Sequence, residues 1–149
     1  MLSERQVILR IFCNMLTKQG KKAKAEKILF KTFLILRNKY KVLSPASLLL
    51  NLLYRYRPAL GVMSKQIAAT KVKLPIKLTE RQCYAKIIRW LLIAAKKRSN
   101  SGYLTAENLA KEIFDTSQVR TFTFTKKQVR DHKIALYDTR AFMHYLTKY

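Results

Sequence analysis

Residues 51–98 read NLLYRYRPALGVMSKQIAATKVKLPIKLTERQCYAKIIRWLLIAAKKR, and the hydrophobic period changes twice within them. Up to Tyr56 the apolar residues keep helical spacing, which began at Ala46 and continues through Leu49, Leu50 and Leu53. Pro58 closes that helix. From Lys71 to Leu78 the pattern is strictly alternating, with Lys71, Lys73, Pro75 and Lys77 on one side and Val72, Leu74, Ile76 and Leu78 on the other. Alternation of this kind is a strand with a cationic face. Its partner is residues 62–67, joined through Ala68, Ala69 and Thr70, and Pro75 is tolerated because a two-stranded ribbon has only edges. Thr79 with Gln82 is a capping box that restores the helical period for Cys83, Ile87, Ile88, Leu91, Leu92 and Ala95. The stretch predicts helix, ribbon, helix, with the ribbon projecting from a helical body.

Outward from this centre, only three Gly and three Pro occur in 149 residues, so long helices are expected throughout. Ser3 and Gln6 resemble a capping box for a first helix with Ile8, Ile11, Phe12 and Met15 on one face, stopped by Gly20. A second helix is expected from about Lys22 to Tyr40 with a stripe of Ala25, Ile28, Leu29, Phe33 and Leu36. Ser44 and Pro45 open the third. Past the central stretch, which ends before Gly102, Thr105 caps a fifth helix through Leu109, Ala110, Ile113 and Phe114. Residues 117–125 read as a loop with extended character, and a sixth helix runs from Thr125 to near Lys148 through Val129, Leu136, Met143 and Leu146. The fold class is mainly α, a six-helix body with a β-ribbon at about residues 61–78, in one domain spanning 1–149. No repeat or linker divides it.

Charge sets the function class. The chain has 31 Lys and Arg against 8 Asp and Glu, a formal net charge of +23, carried on a composition that is 49% hydrophobic with seven Phe, eight Tyr and one Trp. That is a folding composition, so the charge sits on a globule and attracts polyanions: nucleic acid first, an anionic membrane surface second, with DNA compaction as a further reading. The longest apolar run, Trp90 to Ala95, is far short of the roughly 20 residues that cross a bilayer. The opening MLSERQVILRIF lacks the features of a secretory signal. Cys13 and Cys83 read as reduced, buried, small apolar residues.

Catalysis is not expected. Glu4 and Glu26 are the only carboxylates in the first 79 residues, and Glu107, Glu112 and Asp115 read as solvated or surface-paired groups. His132 and His144 lack a third ligand at metal spacing, and no glycine-rich phosphate loop exists, so no cofactor or metal is implied. Five basic clusters stand out instead: Lys18, Lys21, Lys22 and Lys24; Arg55 and Arg57; Lys65, Lys71, Lys73 and Lys77; Lys96, Lys97 and Arg98; and Lys126, Lys127 and Arg130. The last group occupies a helix N-terminus, where the dipole disfavours cations unless a phosphate neutralises them. Trp90 reads as core, and Tyr54, Tyr56 and Tyr84 as half-buried.

The ordered motifs then resemble a family. Gly20-Lys21-Lys22 before Ala25-Glu26, Arg57-Pro58 before the ribbon, Ile88-Arg89-Trp90, Leu109-Ala110-Lys111-Glu112-Ile113 with Asp115, and Arg140-Ala141-Phe142 before His144-Tyr145 are similar to small-subunit ribosomal protein seven over nearly the whole chain. The resemblance implies six helices with a ribbon between the third and fourth, and a protein that binds the 3′ major (head) domain of small-subunit rRNA and starts head assembly. It further implies a ribbon near exit-site tRNA and the mRNA exit path, with small-subunit proteins nine, eleven and thirteen as neighbours and no homo-oligomer. Three departures are expected to matter. Ala68 and Ala69 stand where the family's ribbon turn has glycines, Lys65 and Gln66 stand where it has arginines, and residues 117–125 are longer and more apolar. This shortened, Lys/Tyr/Phe/Ile-rich version resembles organellar members, mitochondrial first and plastid second, and a start without a presequence suggests a chain encoded in the organelle.

Overall fold

The computed structural model describes residues 4–67, 70–99 and 104–145. Its elements are α1 (Glu4–Leu16), α2 (Lys22–Asn38), α3 (Pro45–Tyr56), β1 (Leu60–Ile67), β2 (Thr70–Lys77), α4 (Glu80–Lys97), α5 (Ala106–Ser117) and α6 (Phe124–Asp138), followed by a 3₁₀ helix, Thr139–Tyr145. This is the expected order of six helices with an antiparallel ribbon between α3 and α4. The Ser3 cap, the Ala68-Ala69 turn, Gly102, Leu146 and Lys148 lie outside the described residues.

The apolar stripes meet in one core. Ile8, Phe12 and Leu16 of α1, Ala25, Leu29 and Leu36 of α2, and Leu49, Leu50, Leu52 and Leu53 of α3 pack with Ile87, Ile88, Leu91 and Ala95 of α4 and Leu109, Ala110 and Ile113 of α5. Burial of these side chains is the main stabilising term, of order 2 kcal/mol for each large one. Trp90 joins them, and so does Tyr84, which is fully buried rather than half-buried. Local signals place the helix starts: Thr79 N–H donates to Gln82 Oε1 at 3.0 Å, and Thr105 Oγ1 accepts from Asn108 N–H at 3.2 Å. Gly20 takes φ +71° after α1, the left-handed conformation for which glycine is suited.

The expected loop before the sixth helix is present: α5 continues to Ser117, residues 118–123 form no strand, and Thr123 is the N-cap of α6, accepting from Lys126 N–H at 3.3 Å. The sixth helix, expected to run to near Lys148, ends early. Buried Thr139 turns its hydroxyl back onto Leu136 O at 2.8 Å, competing with the α ladder, and the chain tightens into the 3₁₀ helix. Met143 is therefore exposed rather than part of a continuous stripe.

In the ribbon, Leu60 pairs with Lys77, Val62 with Pro75, Ser64 with Lys73, Gln66 with Lys71, and Lys65 with Val72. Directly paired residues share a face. Lys71, Lys73 and Lys77 thus form one exposed row, Leu74 is fully buried on the other face, and Lys65 lies on the side opposite the three lysines. Pro75 falls on the lysine side yet is buried, because it shares a groove with Leu60, Leu136, Tyr137 and Met143 at the ribbon's base. The ribbon therefore leaves the body from a packed foot, with β2 against the 3₁₀ helix and β1 against α6.

A histidine pins that foot. His132 Nε2 lies 2.9 Å from Leu60 O, and since a carbonyl only accepts, this nitrogen carries the proton. Lys86 Nζ stands 3.3 Å from the same nitrogen, and the Trp90 ring is 5.3 Å from the imidazole. Burial lowers the His132 pKa below the ordinary histidine value; the Leu60 carbonyl opposes this and the Lys86 ammonium reinforces it. A proton that binds more readily to the unfolded chain gives stability that is full above the ordinary pKa of ~6.5 and is lost as pH falls below it. Melting temperature is expected to drop between pH ~7.5 and ~5.5, and to drop less in His132→Gln, whose amide still donates to Leu60 O; equal pH responses in the two proteins would refute the assignment.

Candidate nucleic-acid interface

The end of α3, the corner that leads into the ribbon and one face of α6 line an open cleft of about 610 Å³. Arg55, Arg57, Lys126, Arg130 and Lys133 line it together with His132, over a floor that includes Pro58, Val129 and Leu136. Two basic clusters that are some seventy residues apart in sequence, Arg55/Arg57 and Lys126/Arg130, are one surface in space. Lys133 lies outside the five sequence clusters, although Lys126, Arg130 and Lys133 follow the i, i+4, i+7 spacing of one helical face. An open cationic trough over an apolar floor suits a phosphate backbone with an adjoining sugar or base.

Local contacts hold these cations in place. Arg57 Nη1 donates to Tyr84 Oη at 2.8 Å, and its guanidinium lies 5.2 Å from the ring centres of both Tyr54 and Tyr84. Arg55 covers Tyr56 at 5.7 Å. Stacking leaves the planar edge of a guanidinium able to donate outward. Lys126 differs from the expectation of a phosphate-neutralised helix start: its ammonium donates to Gln118 O and to Thr121 O, the latter at 2.8 Å. Loop carbonyls already offset the charge that the α6 dipole disfavours. Burial, then Arg55, push its pKa down, against the pull of Asp115 and Glu112.

The other clusters stay apart from the cleft. Lys18, Lys21, Lys22 and Lys24 are exposed at the α1–α2 turn, where Lys22 Nζ is 3.7 Å from Glu26. Lys71, Lys73 and Lys77 form the ribbon row, with Lys65 behind it. At the end of α4, Lys96 is half-buried and Lys97 Nζ sits 3.9 Å above the Phe124 ring at the start of α6. Lys127 is exposed. Arg98 turns inward, donating from Nε to Glu112 Oε2 at 2.5 Å and pairing through Nη1 with Asp115 at 2.8 Å. Burial disfavours its charge, but Glu112 and Asp115 outweigh that and raise its pKa.

Glu112 corrects the reading of the acidic residues, because it is 0% exposed and not solvated at all. Its Oε1 accepts from Thr125 Oγ1 at 2.6 Å, Thr125 N–H at 3.3 Å and Thr116 Oγ1 at 3.4 Å, while Oε2 takes Arg98. The carboxylate thereby ties the end of α4 and the first turn of α6 to α5. Its sequence signal was weak: a Glu one residue before Ile113 on a helix otherwise read as amphipathic. Among the described residues no group of three or more His, Cys, Asp or Glu could hold a metal, and no helix is long and apolar enough to cross a membrane.

Residues 3–137 match the family described as ribosomal protein S7p/S5e. The chain is 34% identical over 142 residues to the small ribosomal subunit protein uS7 of Rickettsia massiliae (strain Mtu5), covering 95% of this chain and 86% of that protein. The uS7 proteins of Rickettsia rickettsii (strain Sheila Smith) and Rickettsia akari (strain Hartford) show the same identity and coverage.

Removing the Glu112 side chain leaves two threonine hydroxyls and the Thr125 amide without their acceptor and Arg98 with Asp115 alone, and stranding buried donors while weakening a partly buried pair costs about 3–5 kcal/mol in all. Glu112→Ala is expected to lose about that much in urea unfolding, while Glu112→Gln, which still accepts from Thr125, loses less. Stability unchanged in Glu112→Ala would show that the network holds nothing.

Proposed function

Because the chain belongs to the ribosomal protein S7p/S5e family, whose small-subunit members are structural and not enzymes, we propose that it binds the 3′ major domain of small-subunit rRNA and starts assembly of the subunit head. The observation that supports this most directly is the cleft that gathers Arg55, Arg57, Lys126, Arg130 and Lys133 from two distant parts of the chain. Phosphates would be held there and along the exposed ribbon row of Lys71, Lys73 and Lys77. Lys18, Lys21, Lys22, Lys24, Lys96, Lys97 and Lys127 extend the same contact, and Lys65 meets RNA from the other ribbon face. Arg98 serves the fold, and through it the position of α6.

In the subunit the whole chain acts as one domain in a single copy. The ribbon reaches toward exit-site tRNA and the mRNA exit path, and small-subunit proteins nine, eleven and thirteen adjoin the body. The Lys-, Tyr-, Phe- and Ile-rich composition supports a mitochondrial ribosome as its place.

Lysines that neutralise phosphates release condensed counterions, so affinity falls with the logarithm of salt. For roughly six to ten contacts, affinity for a transcript of the head-domain RNA is expected to fall about a thousandfold or more between ~50 and ~200 mM monovalent salt. Replacing Lys71, Lys73 and Lys77 together with Gln should flatten the slope by about one unit for each lysine on a phosphate, with the melting temperature unchanged since exposed charges add little to stability. An affinity that hardly moves with salt would overturn the reading.

A further inference from the structure

The loop joining α5 to α6 displays two apolar side chains to solvent: Val119 is 74% exposed and Phe122 is 71% exposed. The loop is nonetheless braced. Gln118 N–H donates to Phe114 O at 3.3 Å, the Thr121 hydroxyl donates to Asp115 O, and the Lys126 ammonium donates to Gln118 O and Thr121 O. Buried Thr123 then locks the far end as the cap of α6. This bracing fixes the backbone from which the Phe122 ring projects.

One side of that ring is occupied. The Arg130 guanidinium lies 5.6 Å from the Phe122 ring centre, and a cation placed there draws on the negative face of the π system. Arg120, two residues before Phe122 on the same loop, Lys127 in the first turn of α6, and Arg130 are all exposed. Such a surround disfavours an apolar protein surface, which would have to desolvate those charges, and suits a ligand that is flat, aromatic and attached to anions. We propose that Phe122 is a stacking platform for an unpaired nucleobase of RNA, backed by Arg130, with Arg120 and Lys127 on the flanking phosphates. The proposal rests on the rRNA-binding reading and adds to it a base contact beside the cationic cleft, with which it shares Arg130.

The test uses the full chain and two single-stranded probes of equal length and charge, an oligoadenylate 12-mer and its abasic ribose-phosphate counterpart, each titrated at ~50 and ~200 mM monovalent salt. Aromatic–base stacking is sequence-tolerant, and its loss lowers affinity by about fivefold to a hundredfold. Phe122→Leu should lose affinity for the base-bearing probe by about that factor and change little on the abasic one, and Phe122→Trp should restore the preference; the side chain being exposed, melting temperatures should agree. If wild type, Phe122→Leu and Phe122→Trp bind the oligoadenylate alike, with a steep salt dependence preserved, the platform is refuted while the rRNA reading stands. If wild type binds neither probe in a salt-dependent way, both fall together.

Discussion

A buried carboxylate in a chain of net charge +23 is the constraint on which the C-terminal half depends. Glu112 is withdrawn from water, and an unpaired ion there would cost several kcal/mol, so the fold must deliver donors to it. It receives a guanidinium from the end of α4 and a hydroxyl and an amide from the first turn of α6. That requirement fixes where α6 starts. Once Thr125 is held, the helix rises with Val129 against the core and His132 against Leu60, and the ribbon's foot is fixed in turn. The cationic cleft is the space left between these anchored parts.

Binding charge and folding charge are largely separated. The core of α1 to α5 is apolar, and most cations stand on its rim, where water screens their mutual repulsion. A few are used inside: Arg98 closes the Glu112 network, Arg57 is clasped by two tyrosines, and Lys126 ties down the loop before its own helix. The geometry of these three is set by contacts within the chain itself. The ribbon lysines are carried on exposed positions and rely on the pinned foot for their placement.

The foot also explains why a two-stranded ribbon, marginal by itself, has a defined exit from the body. Leu74 is buried on one face and Pro75 on the other, so β2 is gripped from both sides near its end. Pro75 removes one ladder donor, at a site where the loss is small because the strand is an edge.

Much of this was legible in the amino-acid order, because it is encoded locally. The change of period between Tyr56 and Thr79, the Thr79–Gln82 and Thr105 caps, and the stripes of α1 to α5 are short-range signals, and they specify six helices, one ribbon and the face of Lys71, Lys73 and Lys77. What depended on distant partners was not legible. Residues 117–125 read as loop up to Thr125, but Glu112 and Lys126 N–H draw Thr125 and Thr123 into the helix start itself. Lys65 shares a cluster with the ribbon lysines in sequence and a face with Val72 in the register. Arg98 read as one more surface cation until α5 brought Glu112 and Asp115 to it. A sequence states which groups carry charge and which local period they follow; only the packing of elements far apart in the chain decides which of those charges are left facing solvent and which are spent on one another.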